Sequence, residues 1–167
     1  MQLECGDVLL RPTRLEDLDF VLALEQDAEN RPFIGSWTRE QHADAIRSPV
    51  REHWVIERAQ PEGYLIVYDL RELGQGVYVK RMVVAPKGLG VGRAALQALV
   101  EHAFADLDVP YVWLAVFRDN LRAQRTYAGL GFEIGALGEA ERAALQSIET
   151  FSERSHIMFL RRADLTR

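Results

Sequence analysis

The pattern of hydrophobic and polar positions at the start of the chain predicts one strand and two helices. Residues 8–12 form a short apolar run that indicates a strand. Residues 15–27 carry leucines and a valine near helical spacing, which predicts a helix, and Thr13 is a suitable N-cap for it. Residues 39–47 follow Thr38, which forms a capping box with the glutamine three positions later, so a second helix is expected there.

The next part of the chain has the composition of β-strands. Residues 53–56 and 64–68 are rich in aromatic and β-branched side chains, and residues 61–63, Pro-Glu-Gly, are expected to join them as the turn of a hairpin. A further strand is predicted over residues 77–84. These strands follow one another without long insertions, which favours antiparallel pairing.

A long helix and a buried strand come next. Residues 90–107 place their apolar side chains three and four positions apart, which is the strongest helical pattern in the chain. Residues 111–117 are continuously apolar, as expected of a strand buried on both faces, and the order strand, helix, strand predicts a parallel crossover. Asp119 or Asn120 is then the predicted cap of another helix, which runs through Tyr127 and ends at two glycines.

The remaining pattern completes an α/β fold. Residues 132–136 and 156–160 are short strand candidates, and the charged, alanine-rich residues 139–146 between them predict a helix. We expect a mixed sheet of about six or seven strands, mostly antiparallel and flanked by helices, in a single domain over residues 1–167.

Composition narrows the class of protein. The net charge of -5 gives no broad cationic surface, so a nucleic acid partner is not expected. The single cysteine, Cys5, cannot form an intramolecular disulfide, and no His/Cys cluster has metal-ligand spacing, so we expect no metal. No apolar run approaches the roughly 20 residues that span a bilayer. These features favour a soluble, cytoplasmic protein.

Most of the chemical information lies in a glycine-rich turn over residues 82–93, where a strand passes directly into the long helix. Backbone N–H groups at a helix N-terminus lack intrahelical partners, and glycines let an anion approach without Cβ clashes. Lys87 and Arg93 add positive charge. The turn therefore predicts a diphosphate site, although the same glycines also suit a plain strand-to-helix connection.

Two other nucleotide sites fit the turn less well. A P-loop needs Gly-Lys followed by Ser or Thr, which this turn lacks. Residues 90–95 satisfy the G-x-G-x-x-A pattern of a dinucleotide fold, with Asp119 after the following strand, but too few βα units remain to build two nucleotide-binding halves. A dinucleotide-binding protein is kept as a minor alternative.

Two separated motifs resemble the GNAT N-acetyltransferase superfamily, in the branch that holds ribosomal-protein N-terminal acetyltransferases and small-amine enzymes. The turn of that family reads Arg/Gln-x-x-Gly-x-Gly/Ala. The corresponding residues here are Lys87, Gly88, Leu89, Gly90, Val91 and Gly92. The second motif comprises Asn120, Ala123, Tyr127 and the pair Gly131-Phe132. The resemblance covers essentially the whole chain.

The resemblance implies an acetyl-CoA site and no metal. In the family two central strands splay apart, so that pantetheine lies between them. The implied contacts to pantetheine are the main chain of Met82, Val83 and Val84 and the side chain of Asn120. The pyrophosphate is expected on the N–H groups of residues 88–93, and Tyr127 is the expected general acid. Asn120, taken alone, also fits a simple helix cap.

Two residues depart from the family pattern. Lys87 replaces the usual Arg or Gln, which still allows a phosphate contact. Tyr78 stands where many members carry an acidic residue, so the general base is unassigned. Candidate bases are Glu25, Glu29 and Glu72, and water is the alternative. The four histidines are scattered and receive no role, and Trp37 and Phe33 are expected in the core more than in a pocket.

The sequence thus predicts an acetyl-CoA-dependent transferase that acetylates a primary amine of a small molecule or a protein N-terminus. The reaction is expected to proceed by direct attack in a ternary complex. A GNAT-like sensor that binds CoA or an amine without turnover is the alternative, because Tyr78 occupies the acidic position. A homodimer is a further expectation from the resemblance.

Overall fold

The computed structural model of the protein describes residues 1–148 and 152–166, and within these residues it contains eight strands and five α-helices. The strands are β1 Leu3–Cys5, β2 Val8–Pro12, β3 Arg51–Glu57, β4 Pro61–Asp69, β5 Val77–Val84, β6 Tyr111–Phe117, β7 Glu133–Gly135 and β8 Ser155–Arg161. The helices are α1 Leu18–Gln26, α2 Arg39–Arg47, α3 Val91–Ala105, α4 Leu121–Gly129 and α5 Glu139–Ile148. None of the described helices is long and apolar enough to cross a membrane.

All described strands belong to one sheet with the order β1-β2-β3-β4-β5-β6-β8-β7. Every recorded pair is antiparallel except β5 with β6, which α3 connects. The predicted mixed, mostly antiparallel α/β sheet is therefore confirmed. With one parallel pair among the described strands, the sheet cannot hold two nucleotide-binding halves, so the dinucleotide alternative is wrong.

The strand count exceeds the expected six or seven because β1 forms a short hairpin with β2. Cys5 pairs with Val8 across a tight turn in which Gly6 has φ of 61°. Such a left-handed conformation suits glycine, because it has no Cβ. A three-residue strand carries too few positions for a sequence period to reveal it, which explains why the prediction missed β1.

The parallel pair β5–β6 is short, and this shapes the middle of the sheet. Its register runs only from Val77 opposite Val112 to Val79 opposite Leu114. On the other side of β5, the register with β4 shifts so that Lys80 is an extra residue between Val79 and Arg81. Beyond this bulge β5 has no recorded partner in β6. The two strands splay apart, as expected.

Side chains alternate between the two faces of the sheet, and helices cover both faces. In β4, Leu65 and Val67 belong to the apolar cluster under α3, whereas Tyr64 and Ile66 belong to the cluster under α1 and α2. A third cluster, rich in aromatic rings, packs against α5 and contains Trp113. Burial on both faces explains the nearly continuous apolar runs in the central strands.

Several element boundaries match the sequence prediction. The second predicted helix is α2, and Thr38 caps it by accepting a hydrogen bond from the Gln41 N–H group at 3.2 Å. The strands predicted over residues 77–84 and 111–117 are β5 and β6 without change. These elements carry strong local signals, a capping box or a long apolar run, that tertiary packing reinforces.

Two local predictions are wrong. The first helix begins at Leu18 after a 3₁₀ turn over Leu15–Asp17, and Asp17 accepts a hydrogen bond from the Arg14 N–H group at 2.7 Å. Thr13 is not the cap, because its hydroxyl is bonded to a buried histidine. Pro61 and the two residues after it lie inside β4, so the hairpin turn lies in the residues before Pro61.

Two glycines before β5 allow a test of how tightly β5 meets the start of β6. Gly74 and Gly76 both have positive φ, of 70° and 61°. A Cβ at Gly76 would collide with the carbonyl oxygen of Tyr111, whereas a Cβ at Gly74 meets nothing within 4 Å. We expect Gly74→Ala to lower the free energy of unfolding by about 1 kcal/mol and Gly76→Ala to lower it by about 1 to 3 kcal/mol more. Urea denaturation of both variants measures the difference, and equal losses would contradict this packing.

Candidate active site

The splayed strands open onto a cavity of about 280 Å³ in the middle of the sheet. Its walls come from β5, from β6, from the start of α4 and from the loop after α1. Four residues predicted for the site line it together: Met82, Asn120, Ala123 and Tyr127. The structure thus brings Met82 of β5 and three residues of the second sequence motif to one cavity.

Tyr127 lies on α4 and is 8% exposed, with its ring packed against Phe132. Burial raises the pKa of Tyr127 to about 12, so its hydroxyl keeps its proton at neutral pH. Within the described residues no hydrogen bond occupies that hydroxyl. A buried, protonated phenol at a cavity wall is suited to donating a hydrogen bond or a proton to a ligand.

Asn120 fulfils the helix-cap interpretation and also lines the cavity. Its side-chain oxygen accepts a hydrogen bond from the Ala123 N–H group at 3.3 Å, which caps α4. The cap uses the amide oxygen, and the amide NH₂ group retains its donors. The two interpretations made from the sequence are therefore compatible with each other.

The glycine-rich turn has an open backbone conformation at its two left-handed glycines. Gly88 and Gly90 each have φ of 75°, and a Cβ at either position would meet nothing within 4 Å, so the turn is open. Gly90 is the N-cap of α3 and supplies no side-chain hydrogen bond to the first turn. The N–H groups at the start of α3 therefore remain available to a ligand.

The remaining predicted cofactor residues lie outside the cavity wall. Val83 and Val84 end β5 as buried core residues, residues 87–90 lie in the turn beyond them, and residues 91–93 begin α3. Gly92 packs against β5, because a Cβ there would lie 3.3 Å from the Met82 methyl group and 3.4 Å from Val84. The turn and the cavity are thus joined through the end of β5.

Lys87 is less free than the sequence suggested. Its Nζ donates hydrogen bonds to the Asn30 side-chain oxygen and to the Val84 carbonyl oxygen, both at 2.6 Å. Burial lowers the pKa of Lys87. Lys87 therefore fastens the turn to the chain after α1, and a phosphate contact from it stays a prediction.

The three candidate bases have different environments. Glu29 and Glu72 are exposed and do not line the cavity. Glu25 is 1% exposed and accepts hydrogen bonds on both oxygens. Its Oε1 accepts from His42 Nε2 at 2.9 Å, Tyr64 hydroxyl at 2.7 Å and Arg81 Nη1 at 2.6 Å, and its Oε2 accepts from the Trp37 N–H group at 3.1 Å.

Glu25 is therefore a poor base. Burial by itself raises the pKa of Glu25, but hydrogen bonds from His42 and Tyr64 and the charge of Arg81 outweigh burial and lower it. A carboxylate that already accepts four hydrogen bonds has little capacity left for an acceptor amine. Its role is to hold Arg81 and the loop that carries Trp37.

Two histidines next to Glu25 link it to Thr13 through a series of hydrogen bonds in which each group donates toward Glu25. Thr13 Oγ1 lies 2.7 Å from His53 Nδ1, and His53 Nε2 lies 3.0 Å from His42 Nδ1. Because Glu25 requires a proton on His42 Nε2, a neutral His42 accepts at Nδ1 from His53 Nε2, and His53 in turn accepts from the Thr13 hydroxyl. Burial is the largest cause that lowers the pKa of His53 to about 3, which agrees with a neutral His53 ring.

Sequence reasoning missed this network, which we call the Glu25 network: Thr13, Glu25, His42, His53, Tyr64 and Arg81. Its members come from a loop, two helices and three strands, so no spacing along the chain links them. A weak signal was present, since His53 lies in a strand whose next three residues, 54–56, are apolar. Among the described residues no group of side chains could hold a metal.

Some aromatic residues near the cavity pack in the core, and Phe33 is exposed at the cavity wall. Tyr78, at the position that is acidic in many relatives, is 2% exposed and packs 4.9 Å from Trp113, between ring centroids. Burial raises the pKa of Tyr78 well above its usual range. Phe33 lines the cavity and is half-exposed, so its expected core position is wrong, whereas Trp37 packs against the cluster under α1 and α2.

The fold places this chain among α/β proteins with a mixed sheet whose central strands splay apart. Residues 7–133 match the family model described as acetyltransferase (GNAT) domain. Because this match spans most of the chain, the protein belongs to the GNAT acetyltransferase family.

Solved structures support the same fold. The spermidine N-acetyltransferase of Vibrio cholerae in complex with CoA and spermine has a TM-score of 0.72 at 18% identity, covering 96% of this chain and 99% of that one. Aminoglycoside acetyltransferase AAC(6')-Ib in complex with coenzyme A has a TM-score of 0.74 at 22% identity, covering 96% and 98%. The same enzyme with paromomycin and acetyl-CoA has a TM-score of 0.75 at 21% identity, covering 97% of each chain.

The low pKa of His53 gives the folding stability a defined pH dependence. In the unfolded chain His53 takes up a proton as the pH falls below 6.5, the ordinary pKa of histidine. In the folded chain His53 takes up a proton only near pH 3. Stability present above pH 6.5 is therefore lost as the pH falls toward 3. We expect the free energy of unfolding of the wild type to fall more steeply between pH 6.5 and 4 than that of His53→Gln.

Urea denaturation of both proteins at a series of pH values measures these slopes. Between pH 7 and 9 the substitution should lower the stability by a constant amount, because His53 is neutral in both states there. Parallel curves over the acidic range would show that His53 is not held neutral in the folded protein.

Proposed function

We propose that the protein is an acetyl-CoA-dependent N-acetyltransferase that acetylates a primary amine by direct attack. The observation that carries this proposal is the position of Tyr127, a buried protonated phenol in a cavity between splayed strands. Family membership and neighbours that bind CoA together with spermine or an aminoglycoside support an amine as the acceptor.

Acetyl-CoA would supply the acetyl group as a thioester. The main chain of Met82, Val83 and Val84 lies on the β5 edge that has no recorded partner in β6, so its polar groups suit the pantetheine arm. The Asn120 amide NH₂ group faces the same cavity and can donate to that arm. The N–H groups of residues 88–93 would hold the pyrophosphate at the start of α3, with Arg93 adding exposed positive charge.

The chemistry requires an N–H donor for the carbonyl oxygen and a proton for the leaving sulfur. A main-chain N–H group of β5 near Met82 can donate to the oxygen as negative charge develops there. Tyr127 can give its proton to sulfur as the C–S bond breaks and the C–N bond forms. No carboxylate lines the cavity among the described residues, so we assign removal of the amine proton to water.

The Tyr127→Phe variant tests the acid. It removes one hydroxyl and keeps the packing, so acetyl-CoA affinity should stay the same while kcat falls about 100-fold or more. Release of free thiol from acetyl-CoA across a panel of amines measures turnover, and the shift in melting temperature measures binding. If acetyl-CoA stabilises the wild type but no amine in the panel causes thiol release, the protein is instead a CoA-binding sensor.

The glycine-rich turn is tested by a matched pair of substitutions. Gly90 and Gly74 share a left-handed conformation, with φ of 75° and 70°, and a Cβ at either meets nothing within 4 Å. Gly90→Glu places a carboxylate where the pyrophosphate is expected, so stabilisation by acetyl-CoA should be lost. Gly74→Glu makes the same change outside the turn and should leave that stabilisation intact. Equal acetyl-CoA binding by both variants would refute the placement of the diphosphate.

A further inference from the structure

Two cationic side chains contribute to the wall of the cavity. Lys80 and Arg81 are the charged side chains among its described lining residues, and no Asp or Glu belongs to that lining. Burial, followed by the charge of Arg81, lowers the pKa of Lys80 to about 8. A polycationic acceptor would meet like charge here.

Arg81 presents its cationic end to the cavity. It is 7% exposed, and its Nη1 donates to Glu25 Oε1 at 2.6 Å. Glu25 is 1% exposed and does not line the cavity, so the negative end of this ion pair points into the protein. The Glu25 network thereby fixes the guanidinium in one orientation.

Gly35 keeps the other end of the guanidinium accessible. A Cβ at Gly35 would lie 3.2 Å from Arg81 Nη2, and Gly35 also lines the cavity. Any larger residue at this position would cover Nη2. The missing side chain leaves room for a ligand atom beside a fixed, charged N–H donor, which is the arrangement that binds carboxylates.

We propose that the acceptor is an amine that carries a carboxylate, such as an amino acid or a short peptide, and that Arg81 binds this carboxylate through Nη2. The inference rests on the proposed acetyltransferase function. It also bears on the unassigned base, because an ammonium group held near Arg81 and Lys80 has its pKa lowered. The neutral amine then forms more easily, since no carboxylate belongs to the described part of the lining.

Matched acceptors test the proposal directly. An amino acid and a dipeptide are each compared with their C-terminal amides, which keep the shape and remove the negative charge, and spermidine represents polycations. Thiol release at saturating acetyl-CoA gives kcat/KM for each acceptor. We expect each acid to exceed its amide by about tenfold or more, which corresponds to about 1.4 kcal/mol, and spermidine to be a poorer acceptor than either acid.

Variants locate the contact. Gly35→Ala puts a methyl group against Nη2 without changing any charge, so the ratio of kcat/KM for acid over amide should fall at least fivefold. Ser36→Ala, in the same loop but outside the cavity lining, should leave the ratio unchanged. The double variant Glu25→Gln/Arg81→Gln keeps the buried pair neutral and should remove the preference for the acid.

The outcomes separate this inference from the proposed function. Thiol release with amides or spermidine preferred over the acids would overturn the inference and leave the acetyltransferase function standing. If Gly35→Ala weakens acetyl-CoA binding and leaves the acid-to-amide ratio unchanged, Arg81 faces the co-substrate and the inference is wrong. Thiol release with none of the amines would overturn both.

Discussion

The candidate site depends on one constraint, the early end of the pairing between β5 and β6. Three residue pairs join these strands, and the bulge at Lys80 then turns β5 away. A fully paired sheet would close the space that the cavity occupies and would bind every main-chain group to a neighbouring strand. Because the pairing stops early, β5 and β6 form fewer main-chain hydrogen bonds with each other in the centre of the sheet. The aromatic cluster around Trp113 and the Glu25 network stabilise this region of the protein.

The two sides of the opening are built differently. On the side of α3 and α4, backbone geometry dominates: left-handed glycines, a helix N-terminus and an asparagine cap lie where we propose that the co-substrate binds. On the side of α1 and α2, side chains dominate, since a buried carboxylate orients Arg81 toward the cavity. We attribute recognition of the co-substrate to the first side and recognition of the acceptor to the second.

The sequence was informative where a signal is local. The capping box at Thr38, the apolar runs of β5 and β6 and the glycine turn each lie within a few consecutive residues, so the sequence alone reveals them. The Glu25 network could not be predicted, because it depends on which buried polar groups meet across the fold. The same reason explains Thr13: its hydroxyl suits a helix cap locally, and a histidine from β3 binds it instead.

The Glu25 network also constrains the order in which the protein folds. Glu25 is 39 residues from Tyr64 and 56 residues from Arg81 in the chain, so its strongest partners are distant in sequence. A bare carboxylate is costly to bury, so docking of α1 on the sheet costs least once β4 and β5 have paired and supply Tyr64 and Arg81. Docking of the first helix is thus coupled to completion of the central hairpin, and a chain stalled before that step retains an exposed α1 face that chaperones and proteases can recognise.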